Sequence, residues 1–296
     1  MKITMKIIDG KEISNKIKKE IITEVENMLD KGLRAPHLAA ILVGEDEASQ
    51  TYVANKEKAA KEVGFISSIY RFPSTISEKE LLESIGFIND DNDIDGLIIQ
   101  LPLPKHICEK RIIQAIKPEK DVDGFHPENV GKMVLGQETY LPATPSGIIE
   151  MLSHAKIETE GKECVVLGRS NIVGRPMSIL MSRNSNPGNC SVTVCHTKTK
   201  NLREICKRAD ILIIAIGQPQ MIDETYIKKG ATIIDVGIHR IEDSSKKSGF
   251  RLVGDVHYES AAKLAGAISP VPGGVGPMTI AGLLQNTLKA AKKSLQ

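Results

Sequence analysis

Residues 164–176 read Cys-Val-Val-Leu-Gly-Arg-Ser-Asn-Ile-Val-Gly-Arg-Pro, a short apolar run followed by a turn with glycine near both ends. The pattern predicts a buried strand over 163–168 and a helix over 173–183. Backbone N–H groups in such a turn can approach a phosphate at the helix N-terminus. The spacing is not the dinucleotide pattern GxGxxG, because Ser170 stands where the second glycine would be. Taken alone, the turn fits a phosphate-binding loop and an ordinary strand–helix connection equally well.

Apolar strands and helices alternate on both sides of this turn. Further strands are predicted over 38–43, 65–72, 94–100, 191–195, 211–216, 231–237 and 265–269. Helices are expected over 47–63, 109–116, 146–154, 200–208, 223–228 and 277–294, together with one from Ile13 to Leu29 and one opening at the capping-box sequence from Ser77. The segment 117–145 is polar and rich in turn residues, which marks a change of unit.

This order of elements predicts an α/β protein of two domains with mostly parallel sheets. The first is an α/β substrate domain over residues 1–145 plus 277–296, since the C-terminal helix is expected to return to it. The second is a Rossmann-like nucleotide domain over residues 146–276.

Composition excludes several classes of function. Lys+Arg 39 against Asp+Glu 37 gives a net charge of +2, and the lysines are scattered, so no nucleic-acid partner is expected. The five cysteines form no CxxC pair, which predicts reduced thiols, no metal site and a cytoplasmic protein. Neither a signal peptide nor a membrane-spanning run is apparent, so no membrane association is expected.

The end of the second strand in the nucleotide domain bears on cofactor choice. An NAD-selective enzyme presents Asp or Glu there to the ribose 2′-hydroxyl. Here the chain reads His196-Thr197-Lys198, with Arg169 expected nearby. No carboxylate would repel a 2′-phosphate, which favours NADP, although these residues also suit a simple strand end.

The first domain carries a second group of polar side chains. Tyr52 and Lys56 lie four residues apart on one predicted helix, so they share a face. An aromatic ring can stack on a substrate, and burial can keep a lysine amine uncharged. Gln100 ends a predicted parallel strand, where ligands commonly bind, and its neutral amide can hold the amine. Such Tyr–Lys pairs also occur on helix surfaces by chance.

Two turn-rich segments complete the candidate site. Asp121 and Asp123 lie in Lys120-Asp-Val-Asp-Gly124, where a carboxylate can accept paired N–H bonds from a heterocycle or can build an Asx-type turn. The stretch Pro270-Val-Pro-Gly-Gly-Val-Gly-Pro-Met-Thr279 concentrates residues that shape a backbone and leave it bare. We expect this stretch to be a ligand-facing loop rather than a simple connection.

Together these motifs resemble the bifunctional methylenetetrahydrofolate dehydrogenase/methenyltetrahydrofolate cyclohydrolase family, over essentially the whole chain and in the family's order. The strings that carry the resemblance are Tyr52-Val-Ala-Asn-Lys56, Asp95-Gly-Leu-Ile-Ile-Gln-Leu-Pro-Leu-Pro104, Lys120-Asp-Val-Asp-Gly124, Gly168-Arg-Ser-Asn-Ile-Val-Gly-Arg-Pro176 and Pro270 to Thr279. Thr197 stands where relatives often have Ser, and residues 184–189 look like an insertion relative to shorter members.

The resemblance implies roles for single residues. Lys56 would be the catalytic amine, Tyr52 would stack on the folate, Gln100 would tune Lys56 and Asp123 would hold the pterin edge, so all four are expected at the catalytic centre. Further substrate-binding residues would be Leu101, Pro102, Pro272, Gly273 and Gly274. NADP would be bound by Gly168, Arg169, Ser170, Thr197 and Ile238, and no metal is implied.

The implied activity has two steps at one cleft between the domains. NADP-dependent oxidation of 5,10-methylenetetrahydrofolate gives the methenyl compound, and hydrolysis then gives 10-formyltetrahydrofolate. The resemblance also implies a cytoplasmic homodimer that supplies one-carbon units to purine, methionine and histidine biosynthesis. A dehydrogenase-only relative, an unrelated NADP oxidoreductase acting on a carbonyl and a non-catalytic dinucleotide-sensing protein are the alternatives.

Overall fold

The computed structural model describes residues 5–246 and 249–295, so residues 1–4 and 296 of the first predicted domain lie outside the described residues. The chain forms two compact units. One, the three-stranded unit, comprises Asn15–Ala143 with the chain from Ile280 onward. The other, the six-stranded unit, comprises Thr144–Thr279 with the chain up to Ser14. In the part of the chain that is described, no helix has the length and apolar character needed to cross a membrane.

The strands are, in chain order, β1 (Lys6–Ile7), β2 (His37–Val43), β3 (Ile66–Phe72), β4 (Gly96–Ile99), β5 (Glu163–Leu167), β6 (Ser191–Cys195), β7 (Ile211–Ile214), β8 (Thr232–Asp235), β9 (His239–Glu242), β10 (Phe250–Val253) and β11 (Ala267–Ile268). The helices are α1 (Gly10–Asp30), α2 (Glu47–Glu62), α3 (Glu78–Asp90), α4 (Glu109–Ala115), α5 (Pro127–Val134), α6 (Ala143–His154), α7 (Gly174–Ser182), α8 (Leu202–Cys206), α9 (Tyr258–Ala261) and α10 (Val275–Ser294).

The three-stranded unit is built on a parallel sheet of order β3-β2-β4. Central strand β2 is buried from Leu38 to Val43 because its apolar run is covered on both faces. Helices α2 and α3 have defined N-termini: Asp46 accepts from the Ser49 N–H, and Ser77 and Glu80 form the predicted capping box. The Asp46 cap fixes where α2 begins, and α2 carries Tyr52 and Lys56.

The six-stranded unit has the order β1-β11-β8-β7-β5-β6, with every neighbouring pair parallel. The strand order reverses at β5, which pairs with β6 on one side and with β7 on the other. Ligands of open parallel sheets bind beside such a reversal, at the carboxyl ends of the strands. The glycine turn after β5 lies at this point, so the Rossmann-like prediction is confirmed.

The C-terminal helix was expected to return to the first domain, and α10 does so from Ile280 onward. At the other end of the chain, the predicted division and the compact units differ. The described residues up to Ser14 belong to the six-stranded unit, because β1 pairs with β11 and α1 begins there. The sequence pattern did not predict β1, since a strand of 2 residues is too short to show a period.

Several local predictions were wrong or incomplete. Residues 117–145 contain α5, a helix that the sequence pattern did not predict. The antiparallel hairpin of β9 and β10, and the short α9, were not predicted. The helix expected over 223–228 is a single 3₁₀ turn, Glu224–Tyr226, because the chain is extended again at Ile227. The strand expected over 94–100 ends at Ile99, so Gln100 follows β4.

Gly96, the first residue of β4, makes room for the segment that contains Asp123. A Cβ at Gly96 would lie 2.7 Å from Val122 Cγ1, closer than carbon atoms approach. Val122 is fully buried and β-branched, so it cannot turn aside. The Leu97 N–H also donates to the Lys120 carbonyl oxygen at 2.7 Å. The absence of a side chain at Gly96 therefore lets residues 120–122 lie directly beside β4.

We predict that Gly96→Ala lowers the free energy of unfolding by about 1 to 3 kcal/mol, because the new methyl overpacks Val122. Val122→Ala should also destabilise, through a cavity. The double variant should lose less than the sum of the two, because the methyl fills that cavity. Urea unfolding of the four proteins measures this coupling, and strictly additive losses would show that the two sites do not touch.

Candidate active site

Lys56 lies at the centre of the polar group in the three-stranded unit. Its side chain is only 7% exposed, and its Nζ donates to Gln100 Oε1 at 3.5 Å. The same Nζ lies 5.3 Å from the centre of the Tyr52 ring. Gln100 Nε2 donates to the Leu101 carbonyl oxygen at 2.7 Å, which turns Oε1 toward the lysine. The structure therefore brings Tyr52, Lys56 and Gln100 together, as the sequence predicted.

Asp123 lies beside this group. In the described residues, no hydrogen bond reaches its carboxylate, and the residue is half-buried. Burial raises the pKa of Asp123, and the nearby charge of Lys56 opposes that rise. Asp123 also borders a small concavity whose other lining residues are Leu97, Ile99, Leu101, Ile113, Ile116, Asp121 and Phe125. A carboxylate that accepts no hydrogen bond from the protein can orient a flat heterocycle by its N–H groups.

The neighbouring Asp121 has a different function. Its carboxylate accepts from the N–H groups of Phe125 and His126 at 3.1 and 2.8 Å and from Asn129 Nδ2 at 2.8 Å. The sequence left open whether the two aspartates bind a ligand or build a turn. Asp121 builds the turn, whereas the Asp123 carboxylate remains available.

The glycine turn of the six-stranded unit is closely packed. Gly168 has φ +118°, and a Cβ there would lie 2.3 Å from the Ala215 carbonyl oxygen. A Cβ on Gly174 would lie 2.2 Å from the Gly168 carbonyl oxygen. Both positions thus exclude any side chain, and α7 starts directly against the end of β5. Bare backbone at this point is what a phosphate-binding turn requires.

Ser170 and Arg169 occupy this turn in different ways. Ser170 Oγ accepts from the N–H groups of Val173 and Gly174 at 3.1 and 3.4 Å. Its hydroxyl therefore caps the start of α7. Arg169 has no hydrogen-bond or ion-pair partner among the described residues. An unpaired guanidinium beside the turn is suited to a phosphate.

Thr197 and Ile238 follow the ends of β6 and β8 at the same edge of the sheet. Thr197 is exposed, and Ile238 is 55% exposed. The turn after β6 is held by the His196 N–H, which donates to Thr199 Oγ1 at 2.9 Å. No carboxylate belongs to residues 196–200. This arrangement suits a ribose that carries a 2′-phosphate.

Pro272, Gly273 and Gly274 follow β11, also in the six-stranded unit. The Lys11 N–H donates to the Gly273 carbonyl oxygen at 2.9 Å, and a Cβ on Gly10 would lie 1.9 Å from the Gly274 carbonyl oxygen. The loop is therefore fixed by the start of α1 and packed against it. Pro272 is exposed and Gly274 is buried. The ligand-facing role of this loop stays a prediction, and the packing supplies a reason for glycine at position 274, where a Cβ would lie 2.5 Å from the Pro270 carbonyl oxygen.

Sequence analysis missed Asp255, which holds two loops at this edge of the sheet. Its buried carboxylate accepts from the N–H groups of Ile216, Gly217 and Gln218 at 2.8, 3.1 and 2.8 Å. His239 Nε2 lies 2.8 Å from Asp255 Oδ1, directly after the exposed Ile238. The only sequence signal for this role is an acidic residue after glycine within an apolar stretch, which does not identify its distant partners.

Asp235, at the end of β8, was also missed. It accepts from the N–H groups of Asp255, Val256 and Gly237 at 3.0, 2.9 and 3.0 Å. Burial raises its pKa to about 6, and these hydrogen bonds oppose the rise. A Cβ on Gly254 would lie 1.8 Å from Asp235 Oδ2, so the backbone at Gly254 packs directly against the Asp235 carboxylate. This contact explains why glycine precedes Asp255.

Comparison with known proteins agrees with this geometry. Residues 8–123 match the family model described as tetrahydrofolate dehydrogenase/cyclohydrolase, catalytic domain, and residues 142–295 match its NAD(P)-binding domain. A protein of Cytophaga hutchinsonii named bifunctional protein FolD is 58% identical over 287 residues, covering 97% of this chain and 99% of that protein.

Solved structures give the same result. The bifunctional FolD enzyme of Campylobacter jejuni has a TM-score of 0.92 at 45% identity, over 98% of this chain and 99% of that chain. The FolD enzyme of Trypanosoma brucei, solved with NADP cofactor and inhibitor, has a TM-score of 0.93 at 38% identity, over 99% of each chain. The chain belongs to the tetrahydrofolate dehydrogenase/cyclohydrolase family. The resemblance stated from the sequence is confirmed.

Proposed function

We propose that the protein oxidises 5,10-methylenetetrahydrofolate with NADP and hydrolyses the methenyl product to 10-formyltetrahydrofolate. The observation that carries this proposal is the buried Lys56 amine, held by Gln100 Oε1 at 3.5 Å and bordered by Tyr52 and Asp123. In this assignment the three-stranded unit binds the folate and the six-stranded unit binds NADP. Family membership and the bifunctional relatives support both activities.

Lys56 would act on protons during hydrolysis. Water must lose a proton as it adds to the methenyl carbon, and a ring nitrogen must gain one as the ring opens. An amine within reach of both can accept the first proton and return it. The hydrogen bond that Lys56 Nζ donates to Gln100 Oε1 limits where the amine can lie, since this oxygen is already oriented by the bond of Gln100 Nε2 to Leu101. The uncharged state of Lys56 that the sequence suggested stays a prediction.

Asp123, Tyr52 and the loops would orient the folate. Asp123 has a carboxylate available to accept paired N–H bonds from the pterin edge, and the Tyr52 ring can stack on a flat portion of the substrate. Leu101 follows Gln100, and its carbonyl oxygen accepts from Gln100 Nε2, which supports a place for Leu101 beside the substrate. Contacts from Pro102 and from Pro272 to Gly274 remain proposals that rest on the family resemblance.

NADP suits the residues at the strand ends of the six-stranded unit. When bound, it supplies the nicotinamide carbon that accepts the hydride. Gly168 and Gly174 let α7 begin directly against the end of β5, which suits a pyrophosphate at the helix N-terminus, and Arg169 is unpaired within the described residues. The side chains of Thr197 and Lys198 can donate hydrogen bonds to a 2′-phosphate, and Ile238 offers an exposed apolar contact. These features support NADP over NAD.

We predict that Lys56→Met lowers methenyltetrahydrofolate hydrolysis at least about 100-fold, because the proton-transferring group is lost. NADP binding should persist, since its proposed residues lie in the other unit. Lys58→Met is the matched control, because Lys58 is on the same helix and its side chain is 77% exposed. Separate assays of hydride transfer and of hydrolysis measure the effect. Full hydrolysis by Lys56→Met would refute the assignment, and a wild-type protein without hydrolysis would identify a dehydrogenase-only relative.

We predict that Thr197→Asp lowers kcat/KM for NADP about 10- to 100-fold and improves the relative use of NAD, because a carboxylate there repels a 2′-phosphate and can bind a 2′-hydroxyl. Thr197→Asn has the same shape without the charge and should change NADP use less than about threefold. Steady-state kinetics with both cofactors measures the ratio. Equal losses in the two variants would place the 2′-phosphate elsewhere.

The cytoplasmic location, the homodimer and the supply of one-carbon units to purine, methionine and histidine biosynthesis are further proposals from the family resemblance. Sedimentation equilibrium would test the homodimer directly. A protein that stays monomeric at micromolar concentration would remove that part of the proposal.

A further inference from the structure

Asn286 is a buried polar side chain on the C-terminal helix α10, within the three-stranded unit. It is 8% exposed, and its Nδ2 donates to the Val122 carbonyl oxygen at 2.8 Å and to the Leu141 carbonyl oxygen at 2.9 Å. Both hydrogens of this amide are thus used on backbone far away in sequence. No other residue type of this size carries two such donors on one uncharged nitrogen.

The two carbonyl groups lie on either side of the turn that contains Asp123. Val122 immediately precedes Asp123, and Gly124 follows it with φ +73°. A Cβ on Gly124 would lie 2.7 Å from the Leu141 carbonyl carbon, so the turn packs directly on the Leu141 backbone. The Ala143 N–H also donates to the Asp123 carbonyl oxygen at 3.4 Å. Asn286 therefore joins the two backbone segments between which the Asp123 peptide is held.

Other anchors in this region hold the turn internally or hold its first residues. Lys120 Nζ donates to the carbonyl oxygens of Ile88 and Asp91 at 2.9 and 2.5 Å. Asp121 is held by backbone N–H groups and by Asn129. The Lys120 contacts fix the start of the turn, and the Asp121 carboxylate closes it on Phe125 and His126. The contact of Asn286 instead joins the turn to the segment at Leu141.

We infer that Asn286 is a positioning residue for Asp123: by tying Val122 to Leu141, it places the Asp123 carboxylate for the folate. The inference deepens the proposed function and rests on it. Without the amide, the buried Val122 carbonyl oxygen and the part-buried Leu141 carbonyl oxygen lose this donor, and the two segments can separate. A carboxylate displaced by a fraction of an ångström orients its ligand less well.

The test compares Asn286→Ala with Thr287→Val in the full-length protein. Thr287 is the next residue on α10, is fully buried and donates only to Leu283 of its own helix, so Thr287→Val is a nearly isosteric control. Asn286→Ala should raise KM for methylenetetrahydrofolate about 10-fold. The Kd for NADP should change less than about twofold, and the number of NADP molecules bound per chain should stay the same. Thr287→Val should leave both unchanged. Asn286→Ser, a smaller disruption, replaces Asn286→Ala if that variant does not fold.

Two further measurements separate positioning from general stability. Asn286→Ala should speed hydrogen exchange at the Gly124 and Ala143 amides before the rest of the unit, since Gly124 donates to Asp121 within the turn and Ala143 donates to Asp123 across the two joined segments. In an Asp123→Asn background the Asn286→Ala change should add no further rise in KM. Unchanged exchange at these amides, or a rise in KM that persists without Asp123, would overturn the inference. A wild-type protein that fails to reduce NADP with methylenetetrahydrofolate would instead refute the proposed function, and the exchange measurement would still decide whether Asn286 holds the turn.

Discussion

The hydrogen bond between Lys56 and Gln100 is the constraint on which the proposed chemistry depends. A lysine side chain has a flexible four-carbon stem, so burial alone does not fix the position of its amine. The Gln100 amide does so, because its nitrogen is fixed on the Leu101 carbonyl and its oxygen then faces Lys56. The position of Gln100 follows in turn from the end of β4, next to the fully buried central strand β2. The parallel sheet and the proton-transferring group are thus connected by a single side chain.

The Asp123 turn shows how a polar segment is held in one backbone conformation. Its residues have little apolar surface of their own, so hydrogen bonds and close backbone contacts must order them. Gly96 admits Val122, Asp121 closes the turn on itself, and Asn286 ties it to the segment at Leu141. Of the two aspartates in the turn, Asp123 is the one whose carboxylate accepts no hydrogen bond from the described residues. The ordering groups are therefore distinct from the group proposed to meet the substrate, and they come from three separate parts of the chain.

Sequence analysis succeeded where a signal is local. The apolar run of β5 and the glycines after it predicted the strand, the turn and the start of α7 almost to the residue. The spacing of Tyr52 and Lys56 predicted a shared helix face, and their contact with Gln100 is observed. The β9–β10 hairpin was missed because its polar, half-exposed strands show little apolar alternation. Asp255, Asp235 and Asn286 were missed for another reason: their partners are distant in sequence, as for Asn286 and Val122, which are 164 residues apart. No periodicity or motif identifies such partners.

The most direct measurement is a time course with the purified protein, 5,10-methylenetetrahydrofolate and NADP, followed through the absorbance of the methenyl compound and of reduced cofactor. We expect reduced cofactor to accumulate while methenyl absorbance rises briefly and then decays as 10-formyltetrahydrofolate forms. Reduced cofactor that never appears, or methenyl absorbance that decays no faster than in buffer alone, would contradict the proposed function.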